Sequence, residues 1–122
     1  MNKTILIVDD DSKNTFALSA VLRSRQFNCT AVASMVEAFA ALQSDKNIGI
    51  ILMDMMMPGM DGYESIPILK GMDEYAQIPI IAVTAQAMTG DRERCLATGA
   101  DDYLSKPVDV DKLISMINQY VV

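Results

Sequence analysis

Five short apolar runs alternate with five segments of helical period along this chain, and that alternation restricts its fold more than any other feature. The runs cover residues 4–9, 28–33, 48–53, 78–83 and 101–104. Strand and helix units in series predict a parallel sheet with helices on both faces. The first, third and fourth runs are nearly all Ile, Val, Leu or Met, as expected of strands covered on both faces. We therefore predict a doubly wound, flavodoxin-like α/β fold with five helices and a five-stranded parallel sheet in the order 2-1-3-4-5.

Helices are predicted in each interval between the runs and after the last one. The first begins at the capping residue Ser12 and ends near residue 25, with an inner stripe of Phe16, Leu18, Val21 and Leu22. The others cover about 34–44, 63–72, 88–98 and 110–120. Ser34 and Glu37 form a capping-box pattern, and Asp109 caps the last helix. Pro67 lies inside the third helix, so that helix either begins later or kinks there.

Composition restricts the functions open to the chain. Its 122 residues fit one domain, covering residues 1–122, and its net charge of -6 argues against direct nucleic-acid binding. The sequence has no histidine, which excludes a phosphohistidine, a Ser-His pair and a histidine-ligated metal on this chain. Cys29 and Cys95 form no CxxC pair, so we expect two buried free thiols. The apolar run after Lys3 is too short for a signal peptide or a membrane span, which predicts a soluble cytoplasmic protein.

Polar residues stand where four of the predicted strands end. Asp9 and Asp10 follow the first strand, Asp54 the third, Thr84 the fourth and Lys106 the fifth. The carboxyl ends of parallel strands meet at one edge of a sheet, so these side chains should converge. A single aspartate at a strand end is most often a cap, but three on adjacent strands repel one another unless a cation is present. Oxygen ligands without histidine or cysteine favour a hard cation, with Mg²⁺ the best fit.

These residue types suit phosphoryl transfer. Pro107 keeps Lys106 from starting a helix, and a lysine fixed beside acids can bind a phosphoryl oxygen as a point charge. Thr84 can donate its hydroxyl to another phosphoryl oxygen, and the small Ala85 leaves the approach to Asp54 open. Asp54 is already an anion and needs no general base to act as a nucleophile, so the product would be an aspartyl phosphate. Without a histidine or a P-loop, the chain must receive the group from another molecule. Asp11, turned away from the crevice, is expected to be solvated or to cap a helix.

The motifs as a set resemble the receiver domain of two-component response regulators, in the right order and over nearly the whole chain. They are residues 5–11, 52–62, 83–85 and 103–107. Residues 8–14 and 53–64 look more like receivers fused to hybrid sensor kinases than like DNA-binding regulators. The resemblance implies a signalling domain and not an enzyme, one that catalyses only its own phosphorylation and slow dephosphorylation.

Specific roles follow from the resemblance. Asp54 would accept a phosphoryl group from a phosphohistidine on a sensor histidine kinase or a histidine phosphotransfer protein. Asp10 would bind Mg²⁺ directly and Asp9 mainly through water, and the backbone carbonyl of Met56 would be a further ligand. Mn²⁺ is expected to substitute. Thr84 and Lys106 would bind the phosphoryl oxygens.

The resemblance also implies a switch and a tuning pair. Tyr103 would turn inward when Thr84 moves toward the phosphate, changing the face made by helix 4, strand 5 and helix 5 for a downstream protein that the sequence does not name. Met56 and Gln86 would line the path of the hydrolytic water. Since Met56 cannot orient water, we expect slow dephosphorylation. Gly59 and Gly62 would shape the loop after Asp54.

Two other functions are compatible with parts of the sequence. In a phosphatase of the haloacid dehalogenase type, Asp9 and Asp11 would form the first motif and Asp101 and Asp102 the last. Lys13 stands where that motif has Thr or Val, and no sequence remains for a cap domain. The other alternative is a receiver-like interaction module that is never phosphorylated, although every expected site residue is present.

Overall fold

The computed structural model describes residues 3–85 and 89–121, which form five strands and five helices in strict alternation. The strands are β1 (Thr4–Val8), β2 (Asn28–Val32), β3 (Ile48–Asp54), β4 (Ile80–Thr84) and β5 (Asp102–Ser105). The helices are α1 (Ser12–Ser24), α2 (Met35–Ser44), α3 (Gly62–Lys70), α4 (Asp91–Ala97) and α5 (Val110–Tyr120). None of the helices within the described ranges is both long and apolar enough to cross a membrane.

The sheet is parallel throughout and has the order β2-β1-β3-β4-β5, which confirms the predicted topology. Val8 pairs with Met53 across β1 and β3, and Asp54 pairs with Val83 across β3 and β4. The strand order reverses between β1 and β3, the position where ligands bind in open sheets of this kind. The loops that follow β1, β3, β4 and β5 therefore meet at one edge.

Apolar side chains cover both faces of the sheet, as the composition of the central strands predicts. One buried cluster joins strand residues to α2, α3 and α4 and includes Leu6, Met53, Ala82, Leu42, Ile66 and Cys95. The other joins the opposite face to α1 and α5 and includes Ile7, Leu52, Val83, Leu22, Leu113 and Ile117. Every residue of β1 and of β4 is buried. The strands that carry the acidic residues are thus held from both sides, which fixes their carboxyl ends.

The start of α1 differs from the sequence-based prediction, whereas two other predicted caps are found. Asp11, and not Ser12, caps α1, because its Oδ1 accepts hydrogen bonds from the backbone N–H groups of Lys13 and Asn14. Ser12 is already the first helical residue. The caps predicted at Ser34 and Asp109 are confirmed, since their side chains accept from the third N–H that follows.

The loop from Asp54 into α3 depends on two glycines for different reasons. Gly59 has φ +77, a left-handed conformation that favours glycine. Gly62 begins α3, and a Cβ there would lie 3.1 Å from the Met55 Cα, so glycine permits close packing of the helix start on the end of β3. Because α3 begins at Gly62 with Pro67 inside it, the alternative of a later start is wrong.

The bounds of some strands, and one helix face, differ from the sequence-based prediction. β4 begins two residues later than expected, and β5 covers Asp102–Ser105 and not 101–104. α4 begins at Asp91, and the expected start at residue 88 lies outside the described residues. Phe16 is 78% exposed although Leu18 and Leu22 are buried, because two residues along a helix correspond to nearly opposite faces. Cys29 and Cys95 are buried free thiols, as predicted.

Candidate functional site

Three carboxylates meet at the edge where the strand order reverses. Asp9, Asp10 and Asp54 each offer one oxygen, and these atoms lie within 4.8 Å of one another. Asp9 and Asp54 are 5% and 4% exposed, whereas Asp10 is open to solvent. The structure therefore brings together the three acids that the sequence placed on adjacent strands. An all-oxygen set with one open side matches the preference of a hard divalent cation such as Mg²⁺.

Lys106 lies beside this acidic cluster. Its Nζ is 3.0 Å from Asp9 Oδ2 and 3.5 Å from Asp54 Oδ2, and its side chain is 21% exposed. The Lys106 backbone N–H donates to the carbonyl of Thr84 at 2.8 Å, which ties the residue after β5 to the end of β4. The Lys106–Pro107 peptide bond is cis. One ammonium group thus faces two buried carboxylates.

Burial and neighbouring charged or polar groups act on the pKa values of Asp54, Asp9 and Lys106, often in opposite directions. Burial raises the pKa of Asp54, and the nearby Asp9 charge adds to the effect, which together outweigh the Met56 N–H and Lys106. Burial also opposes ionisation of Asp9, but donors from Asp11, Lys106 and Asn14 lower the pKa of that carboxyl below its ordinary 3.8. Burial would lower the pKa of Lys106, but its two acidic neighbours raise it overall. The ionised form of Asp54 is therefore disfavoured, and positive charge added to the site stabilises that carboxylate most.

Other predicted site residues surround Asp54. Thr84 is fully buried at the end of β4. The Met56 backbone N–H donates to Asp54 Oδ1 at 3.0 Å, while Met56 as a residue is 48% exposed. Gln86, the second predicted tuning residue, lies outside the described residues. Thr84 and Met56 therefore lie on the elements that border Asp54.

Asn14 is a site residue that sequence reasoning missed. Its Nδ2 donates to Asp9 Oδ2 at 2.7 Å, while the Asp11 backbone N–H donates to Asp9 Oδ1 at 2.9 Å. Asp11 itself is exposed and caps α1, as expected of it. One sequence feature does indicate this role: Asn14 lies in the first turn of a helix that starts directly after the acidic residues.

Tyr103 belongs to a polar cluster between α3, α4 and β5. The hydroxyls of Tyr103 and Tyr63 each donate to the Asp91 carboxylate at 3.4 Å, and Arg94 donates to the Tyr63 hydroxyl at 3.1 Å. Asp91 is only 2% exposed, so this carboxylate is buried at the start of a helix whose other charged residues face the solvent. Arg92, Glu93 and Arg94 are exposed.

The second acidic pair required by the phosphatase alternative lies elsewhere. Asp101 precedes β5 and therefore lies at the amino ends of the strands, opposite Asp54. Its Oδ2 accepts from Lys70 Nζ at 2.8 Å and from the Ile80 N–H at 2.9 Å. The neighbouring Asp102 accepts from the Tyr120 hydroxyl at 3.1 Å. Both acids have structural partners away from the acidic cluster, which counts against a phosphatase.

The sequence comparisons and the structural comparison all match proteins of one family. The family model described as the response regulator receiver domain matches residues 5–118. The two-component response regulator ORR5 of Oryza sativa subsp. japonica is 38% identical over 93% of this chain and 87% of its own length. The signal transduction histidine-protein kinase BarA of Escherichia coli is 33% identical over 96% of this chain but only 13% of the kinase. The receiver domain of the sensor histidine kinase PA1611 from Pseudomonas aeruginosa, solved with a magnesium ion coordinated in its active site cleft, superposes with a TM-score of 0.86 at 34% identity and 98% coverage of both chains.

Proposed function

The chain belongs to the response regulator receiver domain family of two-component signalling, and from this premise we propose that Asp54 accepts a phosphoryl group in a magnesium-dependent reaction. The observation that carries the proposal is the position of the buried Asp54 carboxylate, which lies 3.5 Å from the Lys106 ammonium and within 4.8 Å of carboxylate oxygens of Asp9 and Asp10. The proposal also includes that residues 1–122 form one receiver domain and that this domain acts in the cytoplasm.

The reaction is a direct displacement at phosphorus. An Asp54 oxygen forms the new bond while the phosphorus–nitrogen bond of a phosphohistidine breaks, and the electron pair of that bond remains on the imidazole nitrogen. Because the chain has no histidine, the donor belongs to a sensor histidine kinase or a histidine phosphotransfer protein. Lys106 is close enough to turn toward a phosphoryl oxygen on Asp54, and Thr84 would donate its hydroxyl to another.

The carboxylates of Asp9, Asp10 and Asp54 would hold Mg²⁺ together with the backbone carbonyl of Met56, and Mn²⁺ would substitute. The cluster fits such an ion because its ligands are all oxygens, and because burial and the charge of Asp9 raise the pKa of Asp54, so that a nearby cation would favour the ionised carboxylate. When bound, the ion neutralises charge on the phosphoryl group during transfer. The magnesium ion in the PA1611 receiver domain supports this assignment.

Output would pass through Tyr103 and α4. The Tyr103 hydroxyl contacts Asp91 at the start of α4, so a movement of Thr84 that draws Tyr103 inward would break or lengthen that contact. The face formed by α4, β5 and α5 would then present a different surface to a downstream protein.

Phosphorylation by a small phosphodonor tests the proposal. Acetyl phosphate with Mg²⁺ is expected to add one phosphoryl group per chain, measured by intact mass spectrometry, and none after removal of the metal with EDTA. Labelling that is equally fast in EDTA would contradict the role of the metal. Complete absence of label would favour the interaction module that is never phosphorylated, and continuous turnover of p-nitrophenyl phosphate would favour the phosphatase.

The lifetime of the phosphorylated state is expected to depend on Met56. Met56→Asn places an amide able to orient water near Asp54, so we expect dephosphorylation to become roughly fivefold faster, the effect of one added hydrogen bond. Decay of the acyl phosphate after removal of the phosphodonor measures this. Met60→Asn is the matched control, since Met60 is 38% exposed in the same loop. Equal decay rates in Met56→Asn and the wild type would contradict the role of Met56 in dephosphorylation. Gln86 would then be the residue that tunes the lifetime.

A further inference from the structure

We propose that Asn14 is a positioning residue of the acidic cluster, whose side-chain amide holds the Asp9 carboxylate in the orientation that binds a divalent cation. The inference rests on the metal-binding part of the proposed function and is independent of phosphoryl transfer. It extends the site to α1, an element to which neither the strand-end pattern nor the family resemblance assigned a role.

Two donors from the start of α1 hold the two oxygens of Asp9. The Asp11 N–H donates to Oδ1 at 2.9 Å and the Asn14 Nδ2 to Oδ2 at 2.7 Å, the shorter of the two bonds. Asp11 also caps the helix and accepts from the Asn14 N–H, so the backbone that carries the amide is itself anchored. The orientation of the Asp9 carboxylate is therefore defined relative to the first turn of α1.

Lys106 cannot fill the same role. Its ammonium is shared between Asp9 and Asp54 at 3.0 and 3.5 Å and sits on a flexible stem. In the proposed reaction Lys106 also turns to a phosphoryl oxygen, which leaves Asn14 as the side-chain donor that stays on Asp9 Oδ2. Asn14 carries no charge, so it stabilises the Asp9 anion without repelling a cation bound to the same carboxylate.

A small cavity joins Asn14 to the acceptor. It has a volume of about 10 Å³ and is lined by Asp9, Asn14 and Asp54 together with apolar residues such as Leu18 and Leu52. A space of this size holds about one water molecule at most. A test substitution at position 14 must therefore remove the donor without emptying the space, and leucine, close to asparagine in length, meets that condition.

Metal affinity tests the proposal without relying on phosphorylation. Isothermal titration of the purified chain with MgCl₂ is expected to show roughly tenfold weaker binding in Asn14→Leu, the effect typical of losing a hydrogen-bond partner of a carboxylate in a metal site. Asn118→Leu, the same change at an exposed position of α5, is expected to leave affinity unchanged. Asn14→Gln, which keeps an amide, is expected to recover part of the loss. Asn14→Ala gives a second measurement should the leucine variant fail to fold.

The outcomes separate positioning from a purely structural role. A folded Asn14→Leu or Asn14→Ala protein that binds Mg²⁺ as tightly as the wild type overturns the inference, even if its thermal unfolding midpoint has fallen. If the wild type itself binds no Mg²⁺, both the inference and the metal-binding part of the proposed function are overturned. Weaker binding in Asn14→Leu with normal binding in Asn118→Leu supports the inference, whether or not acetyl phosphate labels Asp54.

Discussion

Replacing Asp54 with asparagine is expected to abolish phosphorylation and, at the same time, to stabilise the metal-free protein. The amide is not an effective nucleophile, so no acyl phosphate forms. The Asp54 carboxylate is buried beside Asp9, and both burial and that charge raise its pKa, which means that its ionised form opposes folding. Removing the charge should raise the free energy of unfolding by on the order of 1 kcal/mol, the size of the interaction between two unit charges about 4 Å apart in water.

The same shifts define a pH dependence. Asp54 has a folded-state pKa above its ordinary 3.8, so the wild type in EDTA should gain stability as the pH falls from neutral through that raised pKa. Asp9 has a folded-state pKa below 3.8, so its contribution is present above 3.8 and is lost as the pH falls through the lowered value. Stability in EDTA should therefore peak in mild acid, between these two titrations.

Urea unfolding across this pH range, with and without Asp54→Asn, measures both effects. In Asp54→Asn the gain between neutral pH and the maximum should disappear, while the loss below 3.8 that belongs to Asp9 should remain. Asp73→Asn is the matched control, because it removes the same charge from an exposed turn after α3. An Asp54→Asn protein that is less stable than the wild type at neutral pH in EDTA would contradict the electrostatic description of the site.

The sequence predicted the fold, and which polar residues meet at one edge of the sheet, for one physical reason. Alternation of apolar runs with helical segments determines the parallel sheet, and a parallel sheet brings the residues after its strands to one edge. Asp9, Asp10, Asp54, Thr84 and Lys106 could therefore be grouped without any side-chain geometry. The family resemblance added their individual roles.

The residues that sequence reasoning missed depend on side-chain geometry. Asn14 reaches Asp9 only because Asp11, and not Ser12, caps α1 and so sets the phase of the first turn. Asp91 is buried because tyrosine hydroxyls from α3 and β5, distant in sequence, converge on it. Hydropathy patterns carry no information on such long-range polar contacts, so they do not reveal that a charged residue on a short polar helix is buried.

Lys106→Met is expected to destabilise the metal-free protein, to slow phosphorylation and to strengthen Mg²⁺ binding. The substitution leaves Asp9 and Asp54 without the ammonium that lies 3.0 and 3.5 Å from them, at a cost of about 2 kcal/mol for charged hydrogen bonds. Loss of a donor to the transferring group should slow labelling by acetyl phosphate by roughly 100-fold. A cation bound at the cluster would no longer be repelled by the ammonium, so its affinity should rise.

Metal dependence separates this explanation from a general loss of structure. Saturating Mg²⁺ should raise the unfolding free energy of Lys106→Met by more than that of the wild type, since it replaces the positive charge that the substitution removed. Lys46→Met is the control, because Lys46 pairs with Glu74 on the surface, where an ion pair contributes about 0 to 1 kcal/mol. If Mg²⁺ stabilises Lys106→Met no more than the wild type, Lys106 does not act as the counter-charge of the cluster. In that case its role would be restricted to the phosphoryl group, and slower labelling would be the only effect that remains.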